Sequence, residues 1–262
     1  MLLLGLAILL GGCASLPPGS TPDPKDPFER YNRAAFSFND AIDRAILKPV
    51  SQGYKAVTPS FVQRGVTNFF ANISDVPTVV NDLLQGKMTM AATHLGRLAI
   101  NTTFGLAGVM DVATPMGLER QREDFGQTLG KWGLASGPYL VLPILGPSSV
   151  RDAFALPADF YLDPVYHVSD TTWRYSFAAT RVVSRRASFL EAEKTLKSIE
   201  LDPYLFTRDA YLSRRRSLVY DGDPPDPKAP PDPADDATPK DTPKDTPKSA
   251  SDQDNQEKPR EQ

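Results

Sequence analysis

The chain of 262 residues carries 29 lysines and arginines against 32 aspartates and glutamates, a formal net charge of −3. Its basic residues form no patch interleaved with aromatic ones, which argues against nucleic-acid binding. The single cysteine, Cys13, excludes an intramolecular disulfide, a cysteine-pair zinc site and dithiol redox chemistry.

Residues 1–10 are apolar and uncharged. They are too few to span a bilayer, which takes about 20 residues, and they fit the apolar region of a secretory signal. The Lys or Arg that opens such a signal is absent, and a start upstream of Met1 is one reading of that. Leu10-Gly11-Gly12-Cys13 resembles the bacterial lipobox, in which cleavage before the cysteine accompanies its acylation. Cys13 is the expected lipidation site; the competing reading is a buried free thiol. Ala14 and Ser15, where an acidic residue is missing, resemble the signal for outer-membrane sorting. Residues 13–25, rich in Pro, Ser and Gly, read as a lipidated tether.

A folding region follows over residues 26–220, long enough for one domain with a core. Asp26 is a candidate cap, Pro27 suits a first helical position and Glu29 completes a capping box. Phe28, Tyr31, Ala35, Phe38 and Ile42 recur at spacings of three and four, one face of a helix, which Pro49 stops or kinks. A second helix is expected from Thr58-Pro59 through Ile73. A third carries Val76, Val79, Val80, Leu83 and Leu84 and ends at Gly86; a fourth carries Met88, Ala91, Leu95 and Leu98. Residues 173–199 read as a long helix, and Asp202-Pro203 opens another reaching about Val219. Alternating apolar and polar runs are few, so the expected class is all-α. Residues 101–170 break the pattern: they are Gly- and Pro-rich yet apolar, and read as a long irregular segment. Both burial in a core and placement in lipid beside other protein elements fit it. If it lies in lipid, its irregular backbone requires protein partners or a wet cavity.

Residues 221–262 contain no aromatic residue and repeat Thr-Pro-Lys-Asp at 238 and 242. They hold twelve acidic and six basic residues, which leaves residues 1–220 at a net +3. Such a composition predicts a disordered tail.

Catalytic patterns are missing. His94 and His167 have no metal-ligand spacing and read as structural or surface residues. The glycines of residues 126–146 form neither dinucleotide nor P-loop patterns, and Ser136 lacks the first glycine of a nucleophile elbow. Residues 119–124 mix charges and read as a solvated turn. Arg185-Arg186 and Arg214-Arg215-Arg216 suit either plain solubility or contact with lipid phosphates.

Several segments, in order, resemble the MlaA/VacJ family of outer-membrane lipoproteins. They are Asp26-Pro27-Phe28-Glu29-Arg30-Tyr31-Asn32-Arg33 with Phe36 and Phe38-Asn39; Asn81-Asp82-Leu83-Leu84-Gln85-Gly86; and Arg97 with Asn101-Thr102, residues 104–108 and Asp111. The densest match is Glu123-Asp124-Phe125-Gly126-Gln127-Thr128-Leu129-Gly130, then Gly137-Pro138-Tyr139, Leu142-Pro143, Gly146-Pro147 and Arg151-Asp152. Asp202-Pro203-Tyr204, Arg208 and Tyr211 complete it. The resemblance spans residues 26–219 and excludes the tail.

It implies a ring-like helical domain embedded in the outer membrane around a polar channel. That channel would remove mislocalised phospholipids from the outer leaflet and pass them to a periplasmic lipid-carrier protein, beside trimeric porins. Such a protein needs no cofactor, no metal and no nucleophile, because it lowers the barrier for a charged headgroup, about 2.5–3.5 kcal/mol or more at the bilayer centre. Arg151, Asp152 and Asp159, which directly follow the apolar Gly/Pro segment, are the expected channel residues. Gly133, Gly137 and Pro138 are the expected hinge of a gating loop. Two other readings are an adaptor lipoprotein that scaffolds envelope proteins and a lipid-modifying enzyme. The apolar middle speaks against the first and the missing catalytic set against the second.

Overall fold

The computed structural model describes residue 23, residues 25–196 and residues 202–225. The expected signal peptide over residues 1–12, Cys13 and nearly all of the tether and tail lie outside the described residues, as do the last positions of the long helix expected to reach residue 199. The chain forms two compact units, Met1–Pro224 and Pro225–Gln262, and every helix and strand among the described residues belongs to the first.

The described residues are mostly helical. Helix α1 (Glu29–Ile42) runs through a wide turn, Asp43–Leu47, into α2 (Lys48–Val57). Pro49 explains that turn: it has no N–H to give, and the helix widens so that Lys48 donates five residues back to Asp43. The proline neither stops nor breaks the helix. Asp26 caps nothing here, since Phe28 holds the cap position and Glu29 pairs with Arg33 at 2.8 Å rather than closing a capping box.

The second and third expected helices are one. Helix α3 (Ser60–Leu84) passes straight through Pro77 and pairs along its length with α4 (Met88–Thr103). The turn between them is the expected one. Gly86 takes φ +75 and Lys87 donates back to Asp82 at 2.9 Å, a left-handed helix stop.

Residues 101–170 are more ordered than a long loop. They hold α5 (Phe125–Lys131), an antiparallel hairpin of β1 (Tyr139–Leu142) and β2 (Gly146–Ser149), and α6 (Val150–Leu162). In the hairpin Tyr139 faces Ser149 and Leu142 faces Gly146. Asp124 caps α5 by accepting from Gln127 N, and Ser149 caps α6 by accepting from Asp152 N. Helices α7 (Thr171–Leu196) and α8 (Pro203–Val219) complete the unit. Asp202 caps α8 by accepting from Tyr204 N and Leu205 N.

The free edge of β1 is filled by side chains. Asn32 donates to Tyr139 O at 3.0 Å and accepts from Val141 N at 2.8 Å. Seven residues on, Asn39 donates to Leu142 O at 2.9 Å and accepts from Ile144 N at 2.6 Å. Two asparagine amides, two helical turns apart, thus do the work of a neighbouring strand. Asn32 also donates to Asp26 at 2.7 Å, and the Tyr204 hydroxyl donates to that same carboxylate. Around this joint lies a small apolar cluster of Ala35, Tyr139, Val141 and Tyr204, with Phe36 and Tyr211 against it.

Elsewhere the usual pattern is inverted. Among the described residues twenty buried side chains are polar or charged, against twelve apolar ones, five of them alanine. Large apolar residues are outside instead: Phe154 is 80% exposed, Ile144 77% and Phe104 73%. No helix among the described residues is long and apolar enough to cross a membrane.

Candidate functional site

The buried polar groups begin on the α3–α4 pair. Asp75, Thr78 and Asp82 share one face of α3, and His94, Arg97 and Asn101 share one face of α4, at spacings of three and four. These faces meet. Asp82 Oδ2 lies 2.6 Å from His94 Nδ1, and Gln121 N donates to His94 Nε2 at 3.2 Å. The acceptor at Nε2 leaves the ring proton on Nδ1, aimed at Asp82. Arg97, almost wholly buried, donates to Thr114 Oγ1 at 3.0 Å, to the Leu118 carbonyl and to Asp111 at 3.3 Å. Asn101 Oδ1 accepts from Val112 N and Ala113 N, at 2.8 and 2.9 Å. Both histidines are structural in kind; His167 is exposed and contacts the Tyr161 carbonyl at 2.6 Å.

Residues 119–124, expected as a solvated turn, are a strap pinned at almost every position. Arg120 reaches Asp75 at 2.9 Å and the Ala71 carbonyl at 2.8 Å. Arg122 O accepts from Gln127 Nε2 at 3.1 Å. Glu123 is buried and accepts from Gln85 and Lys87, both at 3.0 Å. Arg120, Glu123 and Asp124 each meet a different partner, while the Glu119 and Arg122 side chains are exposed.

The strap ends in an ion network. Asp124 takes both terminal nitrogens of Arg215 at 2.5 Å, and Arg215 also reaches Asp152 at 3.0 Å. Tyr211 donates to Asp152 at 2.5 Å, and Arg151 Nε donates to it at 3.0 Å. Burial works against ionisation of Asp124, but the Arg215 fork and the Gln127 N–H hold its carboxyl below the usual range. Glycines make this possible. A Cβ on Gly126 would lie 2.5 Å from Asp152 Oδ1 and closer still to Arg215, and one on Gly130 would lie 2.6 Å from Arg151. The two glycines, one turn apart on α5, leave the space that the charges fill.

The expected channel residues sit here in part. Arg151 and Asp152 are buried within the network. Asp159, two turns along α6, accepts from Phe125 N at 2.7 Å. Burial raises its pKa to about 6 against the pull of that N–H. Gly133, Gly137 and Pro138 stand at the two ends of the α5–β1 connection, the glycines at φ +92 and +67. The connection is held at its base, where Val150 donates to Pro138 O and Arg151 donates to Ser136 O, both at 3.1 Å. Sequence reasoning misses Arg215, which stands out only as one of three adjacent arginines, and Asp75, which carries no pattern. It places Arg122 only within a solvated cluster. Among the described residues no group of His, Cys, Asp and Glu side chains is arranged to hold a metal ion.

Fold and site together define a helical protein that buries a set of paired polar and charged side chains and exposes many large apolar ones. The chain belongs to the MlaA lipoprotein family, whose model matches residues 24–218. It is 34% identical over 197 residues to an uncharacterised protein of Rickettsia typhi, covering 74% of this chain and 78% of that one. It is also 34% identical over 230 residues to the Escherichia coli K12 intermembrane phospholipid transport system lipoprotein MlaA, covering 85% of this chain and 88% of the relative. A solved structure described as the basis for maintenance of bacterial outer membrane lipid asymmetry superposes with a TM-score of 0.66 at 30% identity. It covers 74% of this chain and 98% of that one.

Proposed function

We propose that this protein, anchored through Cys13 on the periplasmic side of the outer membrane, removes mislocalised phospholipids from the outer leaflet and so maintains lipid asymmetry. One observation carries the reading: polar side chains are buried while phenylalanines and leucines face outward. In water that arrangement is unfavourable, since each fully exposed large apolar side chain forgoes about 1.5–3 kcal/mol. In hydrocarbon the same surface is solvated, and only the interior needs polar partners. The names of the E. coli and Haemophilus influenzae relatives, both intermembrane phospholipid transport system lipoproteins, support the same reading.

The protein lowers a barrier and makes or breaks no bond. A headgroup follows the polar interior past Arg151, Asp152 and Asp159 while its acyl chains stay in lipid, and a periplasmic carrier receives it. Trimeric porins hold the protein in place, and Gly133, Gly137 and Pro138 let the α5–β1 connection gate the passage. Deleting the gene and measuring phospholipid on the cell surface tests the proposal. A rise that the intact gene reverses is expected; no change would leave an adaptor lipoprotein as the better account.

A further inference from the structure

The strap leaves one side chain unused. Arg120, Glu123 and Asp124 each engage a partner, whereas the Arg122 guanidinium makes no hydrogen bond or ion pair among the described residues. Its backbone cannot swing away, because the Gln121 N–H is tied to His94 and the Arg122 carbonyl to Gln127. The side chain is open to solvent, yet surrounding protein lowers its pKa to about 10, with Arg120, Arg185 and Arg181 adding to the effect and Asp124 opposing it.

The hydrogen bonds show why these arginines converge. Arg120 is fixed to the Ala71 carbonyl on α3. Arg181 on α7 lies over the neighbouring Phe70 ring, 5.2 Å from its centre, and Ser184 approaches Thr67 at 3.4 Å. The same turns of α3 therefore receive the strap and the Arg181–Arg185 stretch of α7. Arg120 and Arg181 are neutralised by Asp75 and Asp163. Arg186 is taken by Asp43 and Glu193. Among the described residues Arg122 and Arg185 are left without an anion, and Asp124, the nearby acid, is committed to Arg215.

We propose that Arg122 and Arg185, both exposed, bind the phosphate of a phospholipid headgroup beside the α3 turns that the strap and α7 share. This rests on the transport reading above and names a site for it. Two guanidinium groups present planar N–H donors to phosphate oxygens, and an anion between them relieves the repulsion that the fold leaves uncompensated.

The test uses the full-length protein in detergent micelles, titrated with short-chain phosphatidylglycerol, glycerol 3-phosphate or inorganic phosphate and followed by tryptophan fluorescence. Arg122→Gln and Arg185→Gln should each weaken phosphatidylglycerol binding about tenfold or more, the loss expected for a charged hydrogen bond. Arg44→Gln, an exposed arginine paired with Asp40, should bind as the unaltered protein does. Arg122→Gln should keep or raise thermal stability, because it removes repulsion; a fall would mark a structural residue and count against the site. Unchanged lipid binding in both arginine variants overturns the proposal. Inorganic phosphate binding as tightly as the lipid makes this a free-anion site and overturns the headgroup assignment. If lipid binding is unchanged in the variants while the intact gene still reverses surface phospholipid exposure, only this inference falls. If deletion leaves surface phospholipid unaltered, the transport reading falls as well.

Discussion

Gly126→Ala is the sharpest test of how the interior is held together. The added methyl would lie 2.5 Å from Asp152 Oδ1 and nearer to Arg215. Ordinary carbon contacts begin near 3.5 Å, so the carboxylate must retreat by roughly 1 Å. The backbone of α5 cannot yield easily, because Asp124 caps it from within the same network and Thr128 is bonded to Asn81 at 2.7 Å. Separating a buried ion pair costs about 3–5 kcal/mol. For a domain near 200 residues each kcal/mol lowers the melting temperature by about 2–4 °C, so a loss of roughly 6–20 °C is expected. Gly53→Ala is the control. It lies in α2 with nothing within 4 Å of its Cβ position, and should gain up to about 1 kcal/mol of helix propensity. Circular dichroism melts in one detergent compare the two. A Gly126→Ala protein that melts within a degree or two of the unaltered one would refute the close-packed network.

Three other outcomes are expected. Asn32→Leu strips partners from the Tyr139 carbonyl and the Val141 N–H; at about 1–3 kcal/mol for each orphaned group the variant should be clearly less stable, with faster amide exchange at Val141. Asp159 has its pKa raised to about 6 from 3.8, so its contribution to stability is present below pH 4 and lost as pH rises through 6. Asp159→Asn should therefore melt near the unaltered protein at pH 4 and above it at pH 8, by at most about 3 kcal/mol in stability; equal melting at pH 8 would contradict the shift. The two tryptophans, Trp132 and Trp173, are 57% and 62% exposed, and both should be quenched by phospholipids brominated in their acyl chains. Emission unaffected by those lipids would count against a membrane-embedded surface.

Helix ends are readable where a residue has one chemical use. Gly86 and Asp202 announce a stop and a start, and both stand as expected. Asp26 misleads because a carboxylate before a proline looks like a cap, and nothing local shows that Asn32 and Tyr204 claim it. Helix α5 is invisible because it has seven residues, two of them glycines needed for space by side chains far along the chain. Pro157 within α6 and Pro77 within α3 look like breaks, yet both helices continue through them. The interior escapes for a deeper reason. Periodicity finds helix faces by their apolar residues, and here many of those residues point outward while Asp75, Asp82 and Arg97 point in. The family resemblance singles out Arg151 and Asp152, but Arg215, the partner of Asp152, lies 63 positions from it and carries no local signal.

The asparagine pair on α1 has a consequence beyond the fold. A short hairpin with an open side is a template for recruiting strands from other copies. Asn32 and Asn39 occupy that side with groups that no incoming chain can extend. The β1 edge of the hairpin is thereby closed to intermolecular strand pairing without needing a third strand.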